Sequence, residues 1–292
     1  MLPPELSNLV AVPGITDCFI SGTRPVVLDR GAGLEEVYNP FRTDAQLRDA
    51  MVALAFDAGV RLDIAHPMAD VVLGDKRLHM VLPYGVSARP ELSIRVHRDS
   101  APSYENSALL DQLEQLVGER KTLLVAGPTG AGKTTLARQL LSPLSERIIT
   151  IEQTPELRLG GRAVQLYSRE PNQEGKGGVT LARLVTEALR MRPDRLVIGE
   201  VRSEEFGAFL QAVTSGHPGA VTTLHSHSFS ALARRLEILG LLSNLEPKLT
   251  ARLVADCVDA IAQLGWRNGR RAILGIATPR LKGSQLILEP LA

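Results

Sequence analysis

The segment Gly127-Pro128-Thr129-Gly130-Ala131-Gly132-Lys133-Thr134 satisfies the pattern G-x-x-x-x-G-K-[ST] in full. It follows the apolar run Thr122–Ala126 and opens a helical pattern that continues through Leu141. That strand–loop–helix setting is the one in which the motif has physical meaning. Glycines let backbone amides curl around phosphate oxygens, and the helix N-terminus adds partial positive charge. Lys133 sets an ammonium against the β- and γ-phosphates, and the Thr134 hydroxyl is a ligand for Mg²⁺. A chain that carries this loop is confined to α/β folds built on a mostly parallel sheet.

The pattern downstream agrees. Strands are expected at Arg147–Ile151, Arg195–Gly199 and Ala220–His225. They alternate with helices at Thr180–Met191, Glu204–Ser215, Ser230–Leu242 and Pro247–Cys257, as in a parallel sheet. Strands near Ala260–Trp266, Arg271–Ala277 and Gln285–Leu288 make an antiparallel finish. Upstream the grammar differs. Short strands at Asp17–Ile20, Pro25–Leu28, Ala69–Leu73, Arg77–Leu82 and Leu92–His97 surround one helix, Asp44–Ala58, with Thr43 as its N-cap. Residues 1–98 therefore read as a small α+β domain, the polar stretch 99–107 as a linker, and 108–292 as the nucleotide-binding domain. Two domains also suit 292 residues at roughly 100–200 residues each.

Composition removes other classes. Hydrophobic and charged fractions of 44% and 22% are those of a globular protein. A net charge of +1 gives no general attraction to nucleic acid or anionic lipid, so a nucleic-acid translocase is disfavoured. Cys18 and Cys257 alone form neither a disulfide framework nor a zinc site. No apolar run reaches the roughly 18 residues of a membrane span, and Met1–Val10 lacks the features of a secretory leader. A cytoplasmic location is expected. Of 33 basic residues only 6 are lysines, so Lys133 is conspicuous, standing alone between Lys121 and Lys176.

Other chemistry-bearing residues gather at expected strand ends. Glu200 closes the run Asp194–Glu200, about where a carboxylate must stand to reach Mg²⁺ or polarise a water. Glu152 and Glu156 follow the strand Arg147–Ile151 and are further candidates to hold metal or orient a nucleophile. His217 and His225 are both expected on the ligand side of the sheet, as neutral donors to a terminal phosphate. His225 and His227 spell a metal pair, but no third ligand cluster lies near them. His66, His79 and His97 read as structural or solvated.

The succession Arg147–Thr154, Pro171–Gly177, Ala188–Arg195, Gly199-Glu200-Val201-Arg202, Gly216-His217 and Thr223-Leu224-His225 resembles the secretion-superfamily ATPases, and within them most closely the Tad/Flp-pilus assembly ATPases. Arg61-Leu62-Asp63, Pro67–Asp70, Gly74–His79 and Leu92–Arg95 resemble that family's N-domain. The resemblance implies a RecA-like P-loop NTPase domain with a smaller N-terminal α+β (PAS-like) domain. It also implies an ATP- and Mg²⁺-dependent homohexameric motor, held at the inner membrane by polytopic platform proteins and powering pilus assembly or protein secretion. By this reading Gly127 to Thr135 are the Walker A loop, and Glu152 and Glu156 belong to an acidic box. Glu200 is the Walker B glutamate and, with Thr134, a metal ligand. His217 and His225 form the histidine box. Arg95, with Arg77 or Arg98, supplies arginine fingers, and Arg202 is a further candidate. Gln153 stands where relatives carry Asp, which keeps open a nucleotide-binding ring subunit of weak hydrolysis. His227 replaces a usual Asn, and the chain begins almost at the N-domain, without the helical extension of many relatives. A conjugative-transfer ATPase is the other alternative.

Overall fold

The computed structural model describes residues 2–30, 33–96, 104, 107–169, 171 and 176–291, residue 107 by its backbone alone. The chain divides into two compact units, Met1–Ser100 and Ala101–Ala292. Most of the expected linker 99–107, Arg98 and Asn172–Gly175 lie outside the described residues.

In the first unit the elements run α1 (Pro4–Val10), β1 (Asp17–Ser21), β2 (Val26–Asp29), β3 (Leu34–Val37), α2 (Asp44–Asp57), β4 (Met68–Leu73), β5 (Lys76–Val81) and β6 (Glu91–Val96). The strands form one antiparallel sheet in the order β3-β2-β1-β6-β5-β4. Alternation decides which face is buried. Cys18, Ile94, Leu78 and Val71 stand in register across four strands, as do Ile20, Leu92, Met80 and Ala69. Both rows are buried with Leu6 of α1 and Leu47, Met51 and Leu54 of α2. Thr43 caps α2 as expected, its Oγ1 accepting from Gln46 N at 3.2 Å. Neither α1 nor β3 was expected. Pro4 at the start of α1 suits a first helical turn, and β3 buries none of its residues, so its apolar signal is weak.

The second unit runs α3 (Ser107–Gly118), β7 (Leu123–Gly127), α4 (Lys133–Leu141), β8 (Ile148–Glu152), β9 (Val164–Tyr167), α5 (Leu181–Leu189), β10 (Arg195–Ile198), α6 (Glu205–Thr214), β11 (Val221–His225), α7 (Phe229–Leu242), α8 (Pro247–Cys257), β12 (Ala260–Arg267), β13 (Arg270–Lys282) and β14 (Gln285–Pro290). Its eight strands lie in the order β14-β13-β12-β7-β11-β10-β8-β9. Pairing from β9 through β12 is parallel, and β13 and β14 close the sheet antiparallel. Strand β7 is buried at every residue. Leu123 and Val125 join the core with α3 and α4, while Leu124 and Ala126 join the core with α5, α6, α7 and α8. Helices thus cover both faces, which is why β7, β8 and β10 read as continuous apolar runs. Register places Gly127 beside His225 and Ile151 beside Ile198. The functional loops therefore leave one edge of the sheet together. Among the described residues no helix is long and apolar enough to cross a membrane.

Candidate nucleotide site

Strand β7 ends at Gly127, and the next residues turn sharply. Gly130 and Gly132 have φ of +78° and +90°, conformations that residues with a Cβ rarely adopt. Gly132 is the N-cap of α4, so the amides of the helix's first turn open toward the loop.

Lys133 is the first residue of α4 and is only 8% exposed. Its Nζ donates to Gly127 O at 3.0 Å, to Pro128 O at 3.1 Å and to His225 Nδ1 at 3.1 Å. Every acceptor in that set is neutral. Burial outweighs the attraction of Glu200 and Glu156 and pushes the Lys133 ammonium down to about 8. An ammonium offers only donors, so His225 accepts at Nδ1 and carries its proton on Nε2. That nitrogen faces Glu200 Oε1 at 3.0 Å. The same Glu200 oxygen is buried and makes no well-aligned hydrogen bond. Glu200 Oε2 accepts from Arg202 at 2.5 Å. Burial opposes the Glu200 charge, but His225 and Arg202 prevail and hold its carboxyl down at about 2. The Arg202 guanidinium is raised in turn, chiefly by its bond to Glu200.

The two acidic-box residues separate in role. Glu156 Oε2 accepts from Thr134 Oγ1 at 3.1 Å, so it faces the phosphate loop. Glu152 is turned away from solvent and is 3% exposed. Its Oε1 accepts from the Glu156 and Leu157 amides at 3.1 and 3.0 Å, and its Oε2 has no hydrogen-bond partner among the described residues. Burial drives its carboxyl up to about 7, against those two amide bonds. Gly199 makes room for it, because a Cβ there would come within 2.9 Å of Glu152 Cγ. Gln153 is exposed.

His217 requires a correction. It lies four residues before β11, at the amino edge of the sheet. Gly219, two residues on, accepts there from Arg195 at the start of β10. The expectation that both histidines share the carboxyl edge fails because β11 runs its full length between them. His217 cannot meet the phosphate loop of its own chain. Pro128, Thr129, Ala131 and Thr135 occupy the loop and first turn as their numbers require. In the first unit, Arg95 and Arg77 are neighbours across β6 and β5. Arg95 pairs with Asp17 at 2.9 Å and Arg77 with Asp70 at 3.2 Å.

The residues suit a nucleotide. Lys133 is buried against neutral acceptors, and Glu200 keeps a buried oxygen without a well-aligned donor among the described residues. Thr134 and Glu156 supply hard oxygens of the kind Mg²⁺ prefers. Among the described residues no group of three or more His, Cys, Asp or Glu side chains is arranged to hold a metal. A cation here would accordingly share phosphate oxygens and water.

Sequence reading missed Tyr104, Trp266 and Arg271, which stand against the loop from outside. Tyr104 fell inside the expected linker, yet it is 8% exposed and belongs to the core of the second unit. The antiparallel strands that carry Trp266 and Arg271 were expected, but nothing local in the sequence shows that they reach the phosphate loop.

Residues 41–265 match the family described as type II/IV secretion system protein. A protein of Mycobacterium tuberculosis, provisionally named a conjugal transfer protein, is 35% identical over 94% of this chain and 84% of its own length. VirB11 of Agrobacterium fabrum is 39% identical over 54% of this chain and 48% of its own. The ATPase DotB of Legionella pneumophila shares the fold at a TM-score of 0.62 and 19% identity, over 90% of this chain and 77% of that one. The family match spans well over half the residues, in both units, and the phosphate loop, Glu200 and His225 all lie inside it: the chain belongs to the type II/IV secretion system protein family.

Proposed function

We propose that this chain is an ATP-hydrolysing motor subunit, acting as a homohexamer at the cytoplasmic face of an inner membrane and powering pilus assembly or protein secretion through platform proteins. One observation carries the reading: the continuous chain Lys133–His225–Glu200–Arg202 at the carboxyl edge of the parallel sheet. The loop Gly127–Thr135 holds the phosphates, and Lys133 exchanges its carbonyl partners for phosphate oxygens. Thr134, with Glu156 or Glu200, holds Mg²⁺, which when bound supplies positive charge to the β- and γ-oxygens. A carboxylate held near 2 is a weak base. Glu200 therefore works by orienting and polarising the attacking water, and a loose phosphoryl-transfer transition state asks for little more. His225 moves with whichever partner Lys133 has, so it reports phosphate to Glu200. Arg95, with Arg77, is the candidate for a charge supplied from the first unit, once drawn from Asp17.

Conjugative transfer is the second reading, favoured by the names of the mycobacterial relative and of VirB11. A weakly hydrolysing ring subunit is disfavoured, because the substituted Gln153 is exposed and outside the hydrogen-bonded site. Phosphate release by the full chain, with MgATP and then with excess EDTA, tests the proposal alongside sedimentation during turnover. Mg²⁺-dependent release from a particle of about six chains is expected. Release no greater than that of Lys133→Ala, or a monomer throughout turnover, contradicts it.

A further inference from the structure

Two side chains from distant parts of the second unit hold the outer side of the phosphate loop. Arg271, near the start of β13, donates from Nε to Gly130 O at 3.0 Å. Its guanidinium stands 5.8 Å from the ring centroid of Trp266 on β12, a cation–π separation that keeps the arginine extended toward the loop. Tyr104 donates from Oη to Gly132 O at 2.8 Å. The space beside the two glycines is filled by the same groups. A Cβ on Gly132 would lie 2.9 Å from Tyr104 Oη and 3.5 Å from Arg271 Cδ, and one on Gly130 would lie 4.0 Å from the Trp266 ring.

A trans peptide is planar, with its carbonyl and amide on opposite sides. Turning the Gly132 carbonyl outward therefore turns the Lys133 amide inward. Gly132 O also accepts from Leu136 N at 2.8 Å, so the amides of Lys133, Thr134 and Thr135 are the unpaired first-turn donors of α4. Arg271 does the same for the Gly130 carbonyl. The amide after it, Ala131 N–H, makes only a long 3.3 Å bond to Pro128 O within the loop.

We propose that Tyr104 and Arg271 are positioning residues of the phosphate loop, holding the Gly132 and Gly130 carbonyls outward so that the loop's amides face phosphate before any ligand arrives. The inference rests on the nucleotide-binding reading above. Preorganisation of this kind strengthens binding by removing the cost of ordering the loop. It acts on the phosphate chain and is indifferent to the base.

The test is equilibrium binding of ATP and of inorganic tripolyphosphate to the full chain, as wild type, Tyr104→Phe, Arg271→Met and Arg271→Lys. Tyr104→Phe and Arg271→Met are expected to weaken both ligands by the same factor, about tenfold. Arg271→Lys, which can still donate to Gly130 O, recovers part of that loss. Phenylalanine keeps the buried ring of Tyr104, so the tyrosine variant separates the hydroxyl from packing, and Trp266, the only tryptophan, reports binding in it by fluorescence. Unchanged tripolyphosphate affinity overturns the proposal, whether or not the melting temperature falls, since it leaves the residues merely structural. Weakened ATP with unaltered tripolyphosphate also overturns it and assigns them to the base. If wild type binds neither ligand, the nucleotide reading fails with it.

Discussion

The two edges of the parallel sheet each carry an arginine–glutamate pair, and the two pairs are built for different ends. At the amino edge Arg195 is fully buried on a carboxylate and carbonyls. Its Nε donates to Glu146 at 2.7 Å, Nη1 to Gly219 O at 2.6 Å and Nη2 to Val117 O at 2.9 Å. Three separate stretches of chain are joined there, by hydrogen bonds from all three guanidinium nitrogens. At the carboxyl edge Arg202 is more than half exposed, and its partner Glu200 also faces His225. Glu200 keeps a buried oxygen without a well-aligned bond. A saturated pair holds a fold in one state. An unsaturated pair, linked through His225 to a lysine resting on neutral acceptors, has partners to exchange.

The contrast can be broken by mutation, and the largest effect belongs to the carboxyl edge. Lys133→Ala should lower ATP turnover by about 10²–10³, the range for removing a preorganised charge donor, while its melting temperature stays within a few degrees of wild type. Steady-state phosphate release and calorimetry check the two halves of that statement. Arg195→Ala reverses the pattern. Emptying that buried volume and leaving the Gly219 carbonyl without this donor should cost about 2–5 kcal/mol, lowering the melting temperature by roughly 10 °C, while Glu146 keeps Arg120 at 3.6 Å. Arg202→Ala, by contrast, should change stability by no more than about 1 kcal/mol, as for exposed pairs. Equal melting temperatures for the two arginine variants would erase the distinction between the edges.

A smaller effect sharpens the same contrast within the site. Glu152 is raised to about 7 from 4.5, so its contribution to stability is complete below pH 4.5 and is lost as pH rises through 7. Glu200 is lowered to about 2, so its contribution is present above pH 4.5 and lost as pH falls toward 2. Glu152→Gln keeps an acceptor for the Glu156 and Leu157 amides and removes the buried charge. At pH 8 it should be more stable than wild type by about 1–3 kcal/mol, and the gap should close by pH 4. Thermal melts across that range give the answer. A variant less stable than wild type at pH 8 would mean that the Glu152 carboxylate is satisfied when charged.

What the sequence disclosed followed the range of the interaction involved. The phosphate loop was legible because its glycines, lysine and threonine are contiguous and sit between an apolar strand and a helix. Glu200 and His225 were legible because each ends a run of apolar residues, and parallel strands align their ends. His217 was misplaced although α6 and β11 were expected with nearly their observed bounds: a residue that precedes β11 lies at the strand's amino end, opposite His225. Glu152 and Glu156 were read as equivalent acids. Only the packing of Glu152 against Gly199 and the turn of residues 153–157 separates them. Strand β9 escaped notice because its four residues are half-buried or exposed, an edge strand with little periodic signal. Tyr104 and Arg271 lie 167 positions apart, and local pattern cannot reveal that both meet one loop.

The central claim is that Glu200 acts on the water and Lys133 on the nucleotide, so binding and turnover can be separated at one residue. Glu200→Gln preserves the shape of the side chain and removes its charge. Measured side by side, its ATP affinity should stay within about threefold of wild type while phosphate release falls by about 10²–10⁴. Turnover near the wild-type rate, with affinity intact, would contradict the account.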